Sequence, residues 1–197
     1  MIIESIVTTV APDGTPNIAP MGVEWGDEVI VLKPFVQTTT YRNLVASGTA
    51  VVNLIDDVLL FARGATGTAT APTIPAEHVA GVVLADACSW REVEIVRADH
   101  EPPRARLETR VVHRGIHREF LGFNRARHAV LEGAILATRT HLLPAVEIVE
   151  AFTRLRVPIE KTAGPVEWEA WRLLEAFIRG RGIPLPTHEG PAIRTPT

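Results

Sequence analysis

Three consecutive hydroxyls, Thr38, Thr39 and Thr40, precede a helix-spaced segment that carries Arg42 and Asn43. The first N–H groups of a helix have no intrahelical partner, so hydroxyls at its start suit an anion such as phosphate. The helix end alone contributes only about 0.3–2 kcal/mol, and a guanidinium is the natural supplement. Arg42 and Arg125 are the two candidates. Arg42 reads equally as an exposed first-turn residue. Arg125 follows Phe123-Asn124 at an expected helix start. A second group is Asn17, Ala19, Pro20, Met21 and Gly22, in an extended segment. Pro20 interrupts strand pairing and Gly22 permits close approach, so this strand edge can offer backbone amides to a ligand. A bulged edge strand with no ligand is the alternative. Asn53 stands in an otherwise apolar strand and needs a partner if buried. Lys161 precedes a helix opened by Pro165; it suits a phosphate or anionic substrate, or a plain loop.

Other groupings offer less. His113 and His117 are separated by Gly115, which makes a shared helical face doubtful. His128 and Glu132 share a face at i, i+4 but lack a third ligand, so they read as a solvated pair and no metal site is expected. Asp56-Asp57 fits turn capping better than cation binding. Cys88 is the single cysteine, which excludes an internal disulfide, and its setting suggests a buried thiol. Neither a dinucleotide fingerprint nor a P-loop is present. The chain has 197 residues and a net charge of −3, with lysine only at Lys33 and Lys161. No basic stripe interleaved with aromatics points to nucleic acid. No apolar run approaches the ~20 residues of a membrane span, and a cytoplasmic protein is expected.

These residues need elements to position them. Ile2 to Val10 and Asn17 to Trp25 read as strands joined by the Pro12-Asp13-Gly14 turn, with Glu28 to Lys33 as a third. Thr38 to Ser47 shifts to helical spacing, and Gly48 stops it. Thr49 to Ile55 is a buried strand, and Asp56 to Ala71 stays ambiguous. Trp90 to Arg97 and Arg104 to His113 alternate and form a hairpin, with Glu92 and Glu94 on a polar face. From Ile116 the spacing is helical. One helix runs to Leu142, a second covers Ala145 to Leu155, and a break spans Pro158 to Gly164. A third helix runs from Pro165 to Gly180. The order, strands then helices, predicts an α+β protein. The expected parts are a β region over 1–114, a helical attachment over 115–182 and a flexible tail over 183–197.

Asn17 to Gly22, the Thr38 to Leu44 segment and Val51-Val52-Asn53, in this order, resemble the FMN-binding split-barrel proteins. Glu4-Ser5-Ile6-Val7-Thr8-Thr9, Asn53-Leu54-Ile55-Asp56-Asp57, Phe123-Asn124-Arg125-Ala126 and Lys161-Thr162-x-Gly164 resemble the DUF447 branch, with Ala163 a departure from its pattern. The resemblance implies a six-stranded antiparallel split β-barrel of Greek-key form, half-open, and a homodimer with FMN at the interface. It implies that Asn17 to Gly22 lies beside the flavin ring and that Thr38 to Asn43 receives the phosphate. A flavin carbonyl or a neighbouring backbone group then meets Asn53. Micromolar binding needs roughly 8 kcal/mol, so ring stacking must add to the helix end. The activity implied is oxidoreduction of a small molecule, with a nicotinamide donor docking transiently. An FMN carrier or sensor is the alternative.

Overall fold

The computed structural model describes residues 1–186; residues 187–197, most of the expected tail, lie outside the described residues. Two compact units divide the chain. One comprises Met1–Asp56 and Thr70–Phe120, and the other Asp57–Ala69 and the chain from Leu121. No described helix is long and apolar enough to cross a membrane.

The first unit is a closed antiparallel barrel. Its strands are β1 (Ile2–Val10), β2 (Pro16–Glu24), β3 (Val29–Leu32), β4 (Thr49–Leu54), β7 (Ser89–Asp99) and β8 (Arg106–Ile116). They follow one another around the barrel as β1-β2-β3-β8-β7-β4. The half-open expectation is therefore corrected: the ring closes, but β2 meets β3 at one pair, Glu24–Val31. Val7, Val23, Ile30, Leu32, Val52, Val93 and Leu107 fill the interior, with Leu44 from the helix α1 (Thr39–Ser47). Thr38 caps α1 by accepting from Tyr41 N, and Gly48 at φ 71° ends it in the left-handed region that glycine tolerates.

A short hairpin, β5 (Thr73–Pro75) with β6 (Val82–Leu84), covers the outer face of β1 and β4. Thr8 Oγ1 donates to Val82 O at 2.5 Å, and Thr49 Oγ1 to Ala80 O at 3.2 Å. Val83 of the hairpin packs with Val51 and Trp90 of the barrel. Trp90 lies opposite Gly115 on β8. A Cβ at 115 would come within 2.0 Å of the indole, so only glycine leaves room for the ring.

The second unit is helical: α2 (Val58–Ala65), α3 (Arg125–Ala137), α4 (Ala145–Thr162) and α5 (Pro165–Gly180). The ambiguous stretch after Asp56 is α2, with Asp57 as its cap through Leu59 N at 2.9 Å. Helix α4 runs through Pro158 instead of breaking there. Proline removes one backbone bond, but Ile148, Phe152 and Ile159 are buried along the helix and hold it in place on both sides of the gap. Ile183 and Leu185, assigned to a flexible tail from sequence, are buried in this core.

Candidate functional site

Strand β2 carries an open edge, and the backbone register shows which residues face it. Trp25 N donates to Met1 O at 2.8 Å, and Ala11 N to Thr15 O at 2.9 Å. Opposed pairs in an antiparallel ladder alternate between bonded and non-bonded. The pairs Thr9–Asn17, Val7–Ala19 and Ser5–Met21 keep step with those two bonds, so the backbone groups of Asn17, Ala19 and Met21 turn to β1. Ile18, Pro20 and Gly22 turn theirs the other way, along the stretch that β3 leaves uncovered. Pro20 is tolerated because its nitrogen lies on that open side. The donors on this edge are the N–H groups of Ile18 and Gly22. Ala19 and Met21 are thereby strand residues, and Ser5 Oγ further binds Met21 O at 2.9 Å.

The start of α1 lies beside this edge. Asn17 Nδ2 donates to Thr40 Oγ1 at 3.0 Å and to Thr9 Oγ1 at 3.3 Å. Asn43 Nδ2 donates to the same Thr9 oxygen at 3.1 Å. Thr9, Thr40 and Asn43 are all buried. The three threonines thus do different things. Thr38 is the cap, and its hydroxyl donates to Phe35 O at 2.7 Å. Thr40 points inward to Asn17. Thr39 is exposed and accepts from Arg42 Nη2 at 2.8 Å, while Arg42 Nη1 holds Gln37 O at 3.0 Å. No described group accepts from the N–H of Thr39 or Thr40. An exposed guanidinium, a hydroxyl and two unused helix amides converge here, the donor set that a phosphate requires.

Asn53 is fully buried. Its amide nitrogen lies 3.0 Å from Ile6 O and 3.1 Å from Thr8 Oγ1, and its oxygen accepts from Leu84 N at 2.9 Å. Both ends of the amide are occupied by protein, and its evident work is to seat β6 on the barrel.

Glu92 lies on the polar face expected of β7, but at this position the face is covered by the β5–β6 loop. Glu92 has no exposure. Its carboxylate accepts from Glu77 N at 2.9 Å, His78 N at 2.6 Å, Val79 N at 3.0 Å and Trp90 Nε1 at 3.2 Å. Burial pushes its pKa up, but these donors outweigh burial and hold it below the usual carboxylate range. Neither Thr9 nor Glu92 was apparent from sequence, because their partners come from other strands and loops. Asp56 pairs with Arg118 at 2.6 Å beside the buried Cys88, whose thiol pKa is raised, first by burial and then by Asp56.

Arg125 and Lys161 belong to the helical unit. Asn124 Oδ1 caps α3 through Ala126 N at 2.8 Å, and Asn124 Nδ2 donates to Thr162 O at 3.1 Å. Thr162 Oγ1 accepts from Ala126 N at 3.0 Å. The Asn-Arg-Ala and Lys-Thr segments are therefore two halves of one clasp. Arg125 and Lys161 themselves are exposed and make no ion pair with a described carboxylate. His128 is exposed on α3, and His113 stands on β8, in the other unit.

Residues 3–118 match the family model described as protein of unknown function (DUF447) N-terminal domain, and residues 124–176 match the DUF447 model that follows it. The chain belongs to the DUF447 family. An FMN-bound DUF447 protein from Methanosarcina mazei has a similar structure, with TM-score 0.78 and 23% identity over 89% of this chain and 94% of its own. Outside the family, the 2-nitrobenzoate 2-nitroreductase of Pseudomonas fluorescens is similar over 58% of this chain and 64% of its own, with TM-score 0.50 and 16% identity. Nitrilotriacetate monooxygenase component B of Bacillus cereus is similar over 61% and 71%, with TM-score 0.50 and 21% identity. At these identities the likeness is one of fold. No curated protein matches by sequence. Within this DUF447 chain, the N-terminal family match spans the barrel strands and α1, and the C-terminal match spans α3 and α4.

Proposed function

We propose that this chain is an FMN-binding flavoprotein that passes hydride or electrons to a small molecule. The observation that supports it is the Asn17–Thr40 hydrogen bond, which sets the open β2 edge beside the amides that start α1. One side offers N–H donors to a planar polar ring, and the other offers donors to a phosphate. Thr39, Arg42 and the N–H groups of Thr39 and Thr40 would hold the phosphate. The N–H groups of Ile18 and Gly22 would face the ring, where donors favour its reduced, electron-rich form. Bound FMN would supply a reversible hydride-accepting centre, which no side chain can provide. Asn17, Thr9 and Asn43 position both halves through buried bonds and need not touch the ligand.

None of the side chains assigned here to the phosphate is a carboxyl or an imidazole; the nearest such groups are the Glu4 carboxylate beside Gly22 and His100, bonded to Tyr41 at 3.0 Å. The part assigned to the protein is position and charge stabilisation, with a nicotinamide donor that docks transiently. Purified protein should take up one FMN per chain, with altered flavin absorption, and should bleach anaerobically on addition of NADH or NADPH. FMN uptake without bleaching by either would favour a carrier or sensor. No uptake would sink the flavoprotein reading.

We also propose a homodimer with FMN at the subunit interface. Ile2, Val96 and Ile116 are apolar side chains of the barrel unit exposed by 67%, 57% and 79%, and a partner would cover such surface. Sedimentation is expected to give the dimer mass; a monomer that still binds FMN tightly would contradict it.

A further inference from the structure

The barrel unit holds a second group of chemically able side chains, none of them among those assigned to FMN. Glu77 and His78 lie in the loop between β5 and β6, and His113 lies on β8. One ligand atom from each falls within 4.8 Å of the other two. His113 Nε2 and Glu77 Oε2 are 3.8 Å apart, and the two imidazoles stack at 4.4 Å between centroids, 27° from parallel. Around a tetrahedral ion with bonds of about 2.0–2.1 Å, ligand atoms stand roughly 3.3 Å apart. Imidazole nitrogens ligate in the ring plane, so one ring must turn out of the stack for both to meet one ion, and His78, like Glu77, is exposed and has room to move.

The loop is not left to find this geometry by chance. Glu92 lies opposite His113 in the β7–β8 register. Its buried carboxylate gathers the backbone N–H groups of Glu77, His78 and Val79, and the indole of Trp90. One side chain thereby fixes the loop that carries two ligands against the hairpin that carries the third.

We propose that Glu77, His78 and His113 bind a divalent transition metal ion of the zinc class. Two imidazoles and a carboxylate suit zinc better than magnesium or calcium, which prefer all-oxygen sets. Three protein ligands leave a fourth position for water or an added ligand. The ion would clasp the β5–β6 loop to β8 and so steady the outer hairpin. The site depends in no way on FMN.

The test is zinc titration of chelator-stripped, tag-free protein in competition with a chromophoric chelator. One equivalent should bind at micromolar affinity or tighter. His78→Ala and His113→Ala should each weaken it by about tenfold or more. His128→Ala, on α3 and outside the group, should leave it unchanged. Zinc should raise the melting temperature of the parent but not of His78→Ala, which keeps the backbone N–H bonded to Glu92 and removes only an exposed ring. Equal zinc affinity in the parent and His78→Ala would overturn the proposal, as would a parent that takes up no zinc. Loss of binding on His128→Ala would overturn it as well, by moving the ion to the other unit.

Discussion

Replacing Thr39 with valine and Arg42 with alanine together is expected to weaken FMN about a hundredfold and leave riboflavin nearly unchanged. Both side chains are exposed and bonded to each other at 2.8 Å, so their loss removes donors without opening the core. The cap at Thr38 stays, and the helix forms as before. Hydrogen bonds to a charged group contribute about 1.5–3 kcal/mol each. Two such losses come to roughly 3 kcal/mol or more, and 1.4 kcal/mol is a factor of ten. Riboflavin has no phosphate, so it reports the ring site alone. Equal weakening of both ligands would show that this corner does not face the phosphate. Thr40 is left intact in this design, because it is buried against Asn17 and its replacement would disturb the fold as well as the ligand.

Glu92→Ala is expected to cost about 3–5 kcal/mol of folding stability, since it strips one acceptor set from four donors at once. Three of them are the backbone N–H groups of Glu77, His78 and Val79, and the fourth is the Trp90 indole. Glu92→Gln should fall between the parent and Glu92→Ala, since it keeps one oxygen and adds donors where none are needed. Urea denaturation with an unchanged slope measures both. A loss under about 1 kcal/mol for Glu92→Ala would mean that water replaces the carboxylate, and that the loop is less firmly held than the geometry indicates.

Local chemistry made much of this protein legible. The turn at Asp13-Gly14, the Thr38 cap and Gly48 stop of α1, and the Asn124 start of α3 each act within a few residues, so their signals lie side by side in the chain. β-branched content marked β1, the turn marked β2 as its return strand, and apolar alternation marked β7 and β8, because a half-buried strand repeats every second residue. The order of strands and helices, with the DUF447-like segments, points to a barrel followed by helices.

Other features were decided by residues that meet only on folding. Alternation put Glu92 on a polar face; that face is real, but the β5–β6 loop covers it and supplies the amides that let a carboxylate be buried. Asn53 left open a choice between a ligand and the backbone, and its neighbours Ile6, Thr8 and Leu84 took up its amide, 31 to 47 positions away in the chain. Pro158 read as a break because a local rule ignores the packing that carries α4 across it. Thr38, Thr39 and Thr40 are chemically alike in the sequence. Only the third dimension sends one to the helix cap, one to solvent beside Arg42 and one inward to Asn17, since a helix start turns successive side chains in different directions.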